Sequence, residues 1–320
     1  LPLIFPMIDD YEEVWQMRGL VLLRHVLSET VPTAFRFHSG LIYTVLQHAL
    51  SSRHCNVSSF VLQCLEQCVR MSERRGQEET NPRLHEILSC IADAIAHAQD
   101  PRRSCLLKGI APLIQLTGIQ FVRHLPQVFP WLLRMLSEGS LPFAHEEQEV
   151  DEKADDDSKL LSFLEEGTIS ISPVYRVLMT IITACWPRMN HHRAKIMACV
   201  CRSVMISKAA ICDAARTLAL LCIVSNWCSA NRKQDKAGCD SGTIRDAEVI
   251  PCEAWMEKRF TYLLNSIKKS PTGDILHHRL HQVHKLAKMI LSQRNQAAAI
   301  FGGESETIKS QGWFSMQMDN

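Results

Sequence analysis

Aromatic residues make up only 7% of the 320-residue chain, and β-branched runs are few. Strand faces are filled mainly by Val, Ile, Thr and aromatic side chains, so this scarcity argues against stacked sheets. No uninterrupted apolar run reaches the roughly 18–20 residues of a membrane span. The nearest, "LALLCIVSNWC" after Arg216, is too short. There is no phosphate-cradling glycine loop, no dinucleotide fingerprint and no nucleophile elbow. Formal charge is +1, which excludes a global field that gathers nucleic acid or acidic lipid. Neither a membrane nor direct nucleic-acid binding is expected, and no cofactor is implied.

What remains is helical vocabulary. Hydrophobic residues form 46% of the chain, and Leu, Ala, Gln, Arg and Glu dominate the periodic stretches. The reading is an all-α protein. Thirteen cysteines would signal a disulfide framework in a small secreted domain, but the number is odd and most lie inside apolar helical patterns, such as Cys64 and Cys68 four apart. They read as buried, reduced thiols acting as small hydrophobes, and hence as a mark of a cytosolic or nuclear protein. The chain starts mid-pattern at Leu1, so an amino-terminal part is expected ahead of it.

The first unit, "DDYEEVWQMRGLVLLRHVLSETVP", carries Asp9 and Asp10 as N-caps and Glu12 and Glu13 at the positive end of the helix dipole. Trp15, Leu20, Leu22, Leu23, Val26 and Leu27 fall in one arc of about 160° at 100° per residue and are the expected core face. Gly19 costs a helix interior roughly 1 kcal/mol against alanine; close approach of a neighbour explains it, or else a kink. Val14, Met17 and Val21 lie on the otherwise polar side, as a partner-facing row would.

Further helices of about 20 residues follow, separated by short turns, in the rhythm of irregular pairs of about 40 residues. In "LKGIAPLIQLTGIQFVRHLPQVFPWLLRML" the reading places a bent or broken helix at Gly109 and Pro112. The next helix opens with Pro126 and Pro130 in its first turn and lines one face with Val128, Leu132, Met135 and Leu136. The expected fold is an irregular HEAT/armadillo-like α-solenoid of antiparallel helix pairs. Residues 1–138 form its first part and 173–298 its second. Between them, 139–172 form an acidic insertion read as disordered, and 299–320 are a flexible tail. A polar loop is expected from Ser229 to Asp246, with helices over Glu248–Lys268 and Gly273–Arg294.

Candidate chemistry is sparse. His277, His281 and His284 share a helical face with His278 beside them, but no zincin carboxylate and no cysteine at ligand spacing accompanies them; they read as a polar face. His191 precedes Cys199 and Cys201, which the intervening helix spreads over different faces. Lys258, Arg259, Lys268 and Lys269 make a local basic cluster that reads as a solvated face. In "CWPRM", Trp186, Pro187 and Arg188 read as a packed corner, with an interface anchor as the alternative, because Trp and Arg are enriched at binding hot spots. No catalytic residues are proposed, and the chain reads as a non-enzyme.

Four landmarks in order carry a family resemblance. "LPLIFPMIDDYEEVWQMRGLVLLRHVL", with Asp9, Asp10, Arg18, Gly19 and Leu20, resembles a segment of the Tel-two-interacting protein two family, in which an acidic pair precedes an Arg-Gly-Leu helix. "LIYTVLQHAL", "LKGIAPLIQLTGIQFVRHLPQVFPWLL" and "VLMTIITACWPRM", the last with Trp186, Pro187 and Arg188, are similar to that family's later segments. The likeness spans about residues 1–230 and, more weakly, reaches about 295. The long acidic insertion and the tail depart from it.

The resemblance implies a non-catalytic scaffold subunit of the Triple T complex. Its partners would be the larger Tel-two-interacting protein and Tel-two, with heat-shock protein 90 and phosphatidylinositol-3-kinase-related kinases engaged indirectly. The role implied is co-chaperone support of kinase maturation, with consequences for the DNA-damage response. A rival reading, a HEAT-like transport or nucleic-acid adaptor, predicts steeply salt-dependent binding.

Overall fold

The computed structural model describes residues 1–73, 82–99, 101–138, 172–189, 191–207, 210–236, 258, 260–261 and 273–300. Among the described residues every regular element is helical and there is no strand. In chain order the helices are α1 (Ile4–Ile8), α2 (Glu13–Glu29), α3 (Pro32–Ala49), α4 (Cys55–Glu73), α5 (Pro82–His97) and α6 (Arg102–Thr117). A 3₁₀ turn, Gly118–His124, leads to α7 (Leu125–Glu138), and then follow α8 (Pro173–Ala184), α9 (Trp186–Met189), α10 (Arg193–Ile206), α11 (Ile211–Lys236) and α12 (Gly273–Ile300).

Two compact units divide the chain, one of Leu1–Pro142 with Pro173–Cys199 and the other of Phe143–Ser172 with Val200–Asn320. In the first, α2 packs on α4, α4 on α6 and α6 on α8, while α3 packs on α5 and α5 on α7. Alternate helices thus form two layers, joined where α3 meets α4 and α5 meets α6. This is the layered stacking of an irregular HEAT/armadillo-like α-solenoid. The layers share an apolar seam: Leu20, Leu23, Leu46, Leu62, Leu65, Ile87, Leu88, Leu107, Ile110, Val128 and Leu132 are all buried. Arg102 ties three helices together, donating to the Ser58 hydroxyl at 3.3 Å and, at 2.7 Å, to the Leu50 carbonyl just past the end of α3.

The second unit packs α11 against α12 through Leu218, Leu221, Leu280, Val283 and Leu286. Its buried Asp213 accepts the Ser172 backbone N–H at 2.9 Å, and Arg279 donates to the Met205 carbonyl at 3.2 Å.

Several boundaries move from their expected places. Gly109 and Pro112 both lie inside an unbroken α6; the chain breaks instead at Gly118, whose φ of 56° is a left-handed turn open to glycine. Pro126 opens α7 as expected, Pro130 lies within it, and Val128, Leu132, Met135 and Leu136 are all buried. By length and composition Arg102–Glu138 could cross a membrane, but the turn at Gly118 cuts it into helices of 16 and 14 residues, each short of the roughly 20 required. The expected loop at Ser229 is helical to Lys236, and α12 continues to Ile300. The acidic insertion up to residue 171, the tail beyond 300 and most of Glu248–Lys268 lie outside the described residues.

The reading of every cysteine as a reduced thiol is corrected at one pair: Cys55 and Cys105 are joined in a disulfide, with Cα atoms 6.1 Å apart. They sit at the heads of α4 and α6, neighbours in one layer but fifty residues apart in sequence, an adjacency no local pattern displays. Of the eight reduced cysteines among the described residues, Cys64, Cys68, Cys185, Cys201 and Cys222 are buried as expected, whereas Cys90, Cys199 and Cys212 are half-buried. Burial pushes the thiols of Cys64, Cys185 and Cys201 up to about 12, and that of Cys68 in the same direction, which makes them inert.

Where α5 meets the 3₁₀ turn and the start of α7, the contact is polar. His85 Nδ1 and His124 Nε2 lie 2.8 Å apart, one donating and the other accepting, and Ser89 Oγ is 3.5 Å from His124 Nδ1. A turn further on, Gln127 donates to Asp93 at 2.8 Å. Burial holds His85 below the ordinary histidine value of 6.5, with Arg123 adding to the effect; His124 is lowered by burial, by His85 and by Arg123. Since the unfolded chain takes up these protons at higher pH than the folded one, the pair's contribution to stability is present above about 6.5 and lost as pH falls below it. We expect the urea midpoint to drop between pH 7.5 and 5.0. His85→Asn with His124→Gln should flatten that drop, and an unchanged slope would show that the pair does not titrate with unfolding.

Candidate interaction surface

Helix α2 starts where the chain leaves α1. Asp10 Oδ1 accepts the Glu12 N–H at 2.9 Å, closing a small turn ahead of the helix. The N-cap position itself is Glu12, without a side-chain cap bond, so neither aspartate caps α2 in the expected manner. Asp9 ends α1 instead and pairs with His48 of α3 at 2.8 Å.

Gly19 is buried, and a β-carbon there would stand 2.8 Å from Ile8 Cγ1 and 2.9 Å from the Ile8 backbone nitrogen. Close approach of α1 is therefore the reason for this glycine. Leu20 is wholly buried, and its carbonyl accepts from the Cys64 thiol. Arg24 donates to Gln63, and Glu13 accepts from Asn56, so these side chains point at α4.

The opposite side of α2 is open. Val14 is 58% exposed and Val21 48%, and Met17 is half-buried at the margin. Trp15 and Leu22, expected in the core, are 41% and 45% exposed. The core of α2 narrows to Gly19, Leu20, Leu23 and Leu27, because α1 and α4 cover only that side. Arg18 lies between the two apolar pairs, its guanidinium 4.8 Å above the Trp15 ring. Sequence reasoning missed Trp15 and Leu22 as surface residues, since an apolar arc does not reveal how much of it a neighbour covers.

The other candidate anchor is separate. Trp186 is half-buried and Arg188 exposed on the four-residue helix α9. The Arg188 N–H closes a turn on the Cys185 carbonyl at 2.9 Å. Three steps of helix packing separate α2 from α8, which precedes α9, at roughly 8–10 Å each, so the two features do not form one patch. The Pro187 side chain lies outside the described residues.

The histidines of α12 do not converge. His277 and His281 lie with near-parallel rings 6.4 Å apart, while His284 stacks on Phe260 at 4.7 Å. Among the described residues no group of three or more His, Cys, Asp or Glu side chains is placed to hold a metal ion. His191 is exposed, and its neighbour His192 packs on Phe129 at 4.8 Å. Lys258 is exposed, and Arg259, Lys268 and Lys269 lie outside the described residues.

Comparison with family models and with curated proteins gives no match. Among solved structures the chain is similar to a designed armadillo repeat protein, YIII(Dq)4CqI, at 11% identity and a TM-score of 0.41 over 90% of this chain and 99% of that one. It is also similar to an engineered protein, at 13% identity and a TM-score of 0.39 over 90% and 98%. The assignment of the fold rests on the helix packing described above.

Proposed function

We propose that the chain is a non-catalytic scaffold or adaptor subunit of the Triple T co-chaperone complex, acting with heat-shock protein 90 in the maturation of phosphatidylinositol-3-kinase-related kinases in the cytoplasm and nucleus. The supporting observation is the outer face of α2. One side of this helix is fully used in stacking, while Val14, Trp15, Val21 and Leu22 are left in water around a single arginine. Scattered exposed apolar residues are ordinary, but a contiguous apolar row on one helix marks a contact surface. The particular complex comes from the motif resemblance: Asp9, Asp10, Arg18, Gly19 and Leu20, and later Trp186, Pro187 and Arg188.

Affinity purification from cells followed by mass spectrometry tests the assignment. The larger Tel-two-interacting protein, Tel-two and the large kinases are the expected companions, and their absence removes it. Val14→Glu with Val21→Glu should leave the helical spectrum and the melting temperature intact, because neither side chain contributes to the core. Co-precipitation of the larger partner should fall at least tenfold, about 1.4 kcal/mol, more than the roughly 1 kcal/mol that most interface residues fail to reach. Unchanged recovery would move the contact elsewhere.

A further inference from the structure

We propose that Cys55 and Cys105 form a reversible redox clasp, closed by a small-molecule disulfide such as oxidised glutathione and opened by the matching thiol. The bond joins the heads of α4 and α6, neighbours in one layer. Both residues are half-buried, so their sulfurs are within reach of solvent, whereas the other thiols of α4, Cys64 and Cys68, are buried. Eight cysteines among the described residues stay reduced beside this one bond. A disulfide framework does not use its cysteines in this way; a chain in exchange with a thiol pool does. Each partner also occupies the kind of place that makes a thiol reactive. Cys55 is the first residue of α4, Cys105 lies in the first turn of α6, and Arg102 opens that turn.

The exchange balances with glutathione alone. One cysteine gives up its thiol proton and attacks a sulfur of the glutathione disulfide, forming a mixed disulfide and expelling a glutathione thiolate. The second cysteine attacks the protein sulfur of that mixed disulfide, forming the Cys55–Cys105 bond and expelling the other glutathione. The two thiol protons end on the two glutathione sulfurs, and two electrons have passed from the cysteine pair to glutathione.

The clasp holds a junction. Arg102 of α6 donates to the Ser58 hydroxyl, one turn along α4 from Cys55, and to the Leu50 carbonyl at the end of α3. On either side of Cys55, His54 and Asn56 both engage Glu13 in the first turn of α2, at 3.1 Å and 3.2 Å. Polar contacts of this kind near the surface are each worth little alone. The covalent link spans 50 positions in sequence and removes far more freedom from the opened chain than any of them. Further along, α4 and α6 still meet where Leu62 faces Gly109, so opening the clasp frees the helix heads without parting the layer.

The test is a redox titration of the whole chain, from reduced glutathione alone to its disulfide alone, read by differential alkylation and mass spectrometry. Cys55 and Cys105 should become protected together in one transition, as one cross-linked pair of peptides, while Cys64, Cys68, Cys185 and Cys201 do not change. On opening, the melting temperature should fall by roughly 5–15 °C. Hydrogen exchange should rise in the first turns of α2, α4 and α6 but not in α7. In Cys55→Ser with Cys105→Ser neither quantity should depend on the buffer. A pair that stays bonded in reduced glutathione, or stays open in the disulfide, overturns the inference. So does a bond from either cysteine to a different residue, a melting temperature that ignores the buffer, or a double variant that still responds to it.

Discussion

Gly109→Leu is expected to be the most damaging single substitution at an α4–α6 contact, lowering stability by more than about 3 kcal/mol in urea unfolding followed by far-ultraviolet circular dichroism. A β-carbon at Gly109 would meet Leu62 of α4: its Cδ1 first, then its Cβ at 2.9 Å and its Cγ at 3.2 Å. Rotating Leu62 removes the first collision but not the second, because Cβ is fixed by the backbone. The two helices must then move apart, and Leu62 is itself almost wholly buried. Gly109→Ala carries an opposing gain of about 1 kcal/mol in helix propensity, so its net loss should be smaller, about 1–2 kcal/mol. The decisive measurement is the double variant. Leu62→Ala alone should cost about 2–5 kcal/mol, yet with Gly109→Ala the total should be less than the sum by at least about 1 kcal/mol, since the shortened side chain removes the collisions with Cδ1 and Cγ and leaves only that between the two β-carbons. Additive losses would show that the two residues do not oppose each other.

That glycine also shows where the sequence was legible and where it was not. Helical periodicity placed the buried face of α7 correctly, at Val128, Leu132, Met135 and Leu136, because burial in a two-layer stack follows the 3.6-residue repeat. It offered a bend or a break at Gly109 and Pro112, and the helix runs through both without a break. A glycine in an apolar helix can mark either an end or a crossing, and only the presence of Leu62 on the facing helix decides between them. The true break, Gly118, is distinguished by a backbone angle that composition does not display. On the candidate surface, Val14 and Val21 were legible because they interrupt a polar side. Trp15 and Leu22 were not, since their exposure depends on α1 ending at Ile8. The Cys55–Cys105 link and the His85–His124 pair join residues 50 and 39 positions apart, and their partners are chosen by the packing of alternate helices.

Gly19 carries the second large effect. If it marked a kink, Gly19→Ala would stabilise α2 by about 1 kcal/mol. The structure demands the opposite sign, because the new carbon would lie 2.9 Å from the backbone nitrogen of Ile8, an atom that cannot rotate away, and 3.1 Å from Met7 Cβ. A net loss of about 1–2 kcal/mol is expected for alanine. Gly19→Leu should release α1 altogether, exposing Ile4 and Ile8, both buried, at roughly 1.5–3 kcal/mol for each isoleucine fully returned to water. The exposed Asp9–His48 pair lost with it adds less than about 1 kcal/mol. Hydrogen exchange should then rise at residues 4–9 while the amides of α4 and α6 stay protected; protection kept at residues 4–9 would refute the close approach. The variant also separates packing from recognition. Val14, Arg18 and Val21 do not depend on α1 for their exposure, so binding through the outer face of α2 should survive its release, whereas a partner that needs α1 as part of the surface would be lost together with the protection.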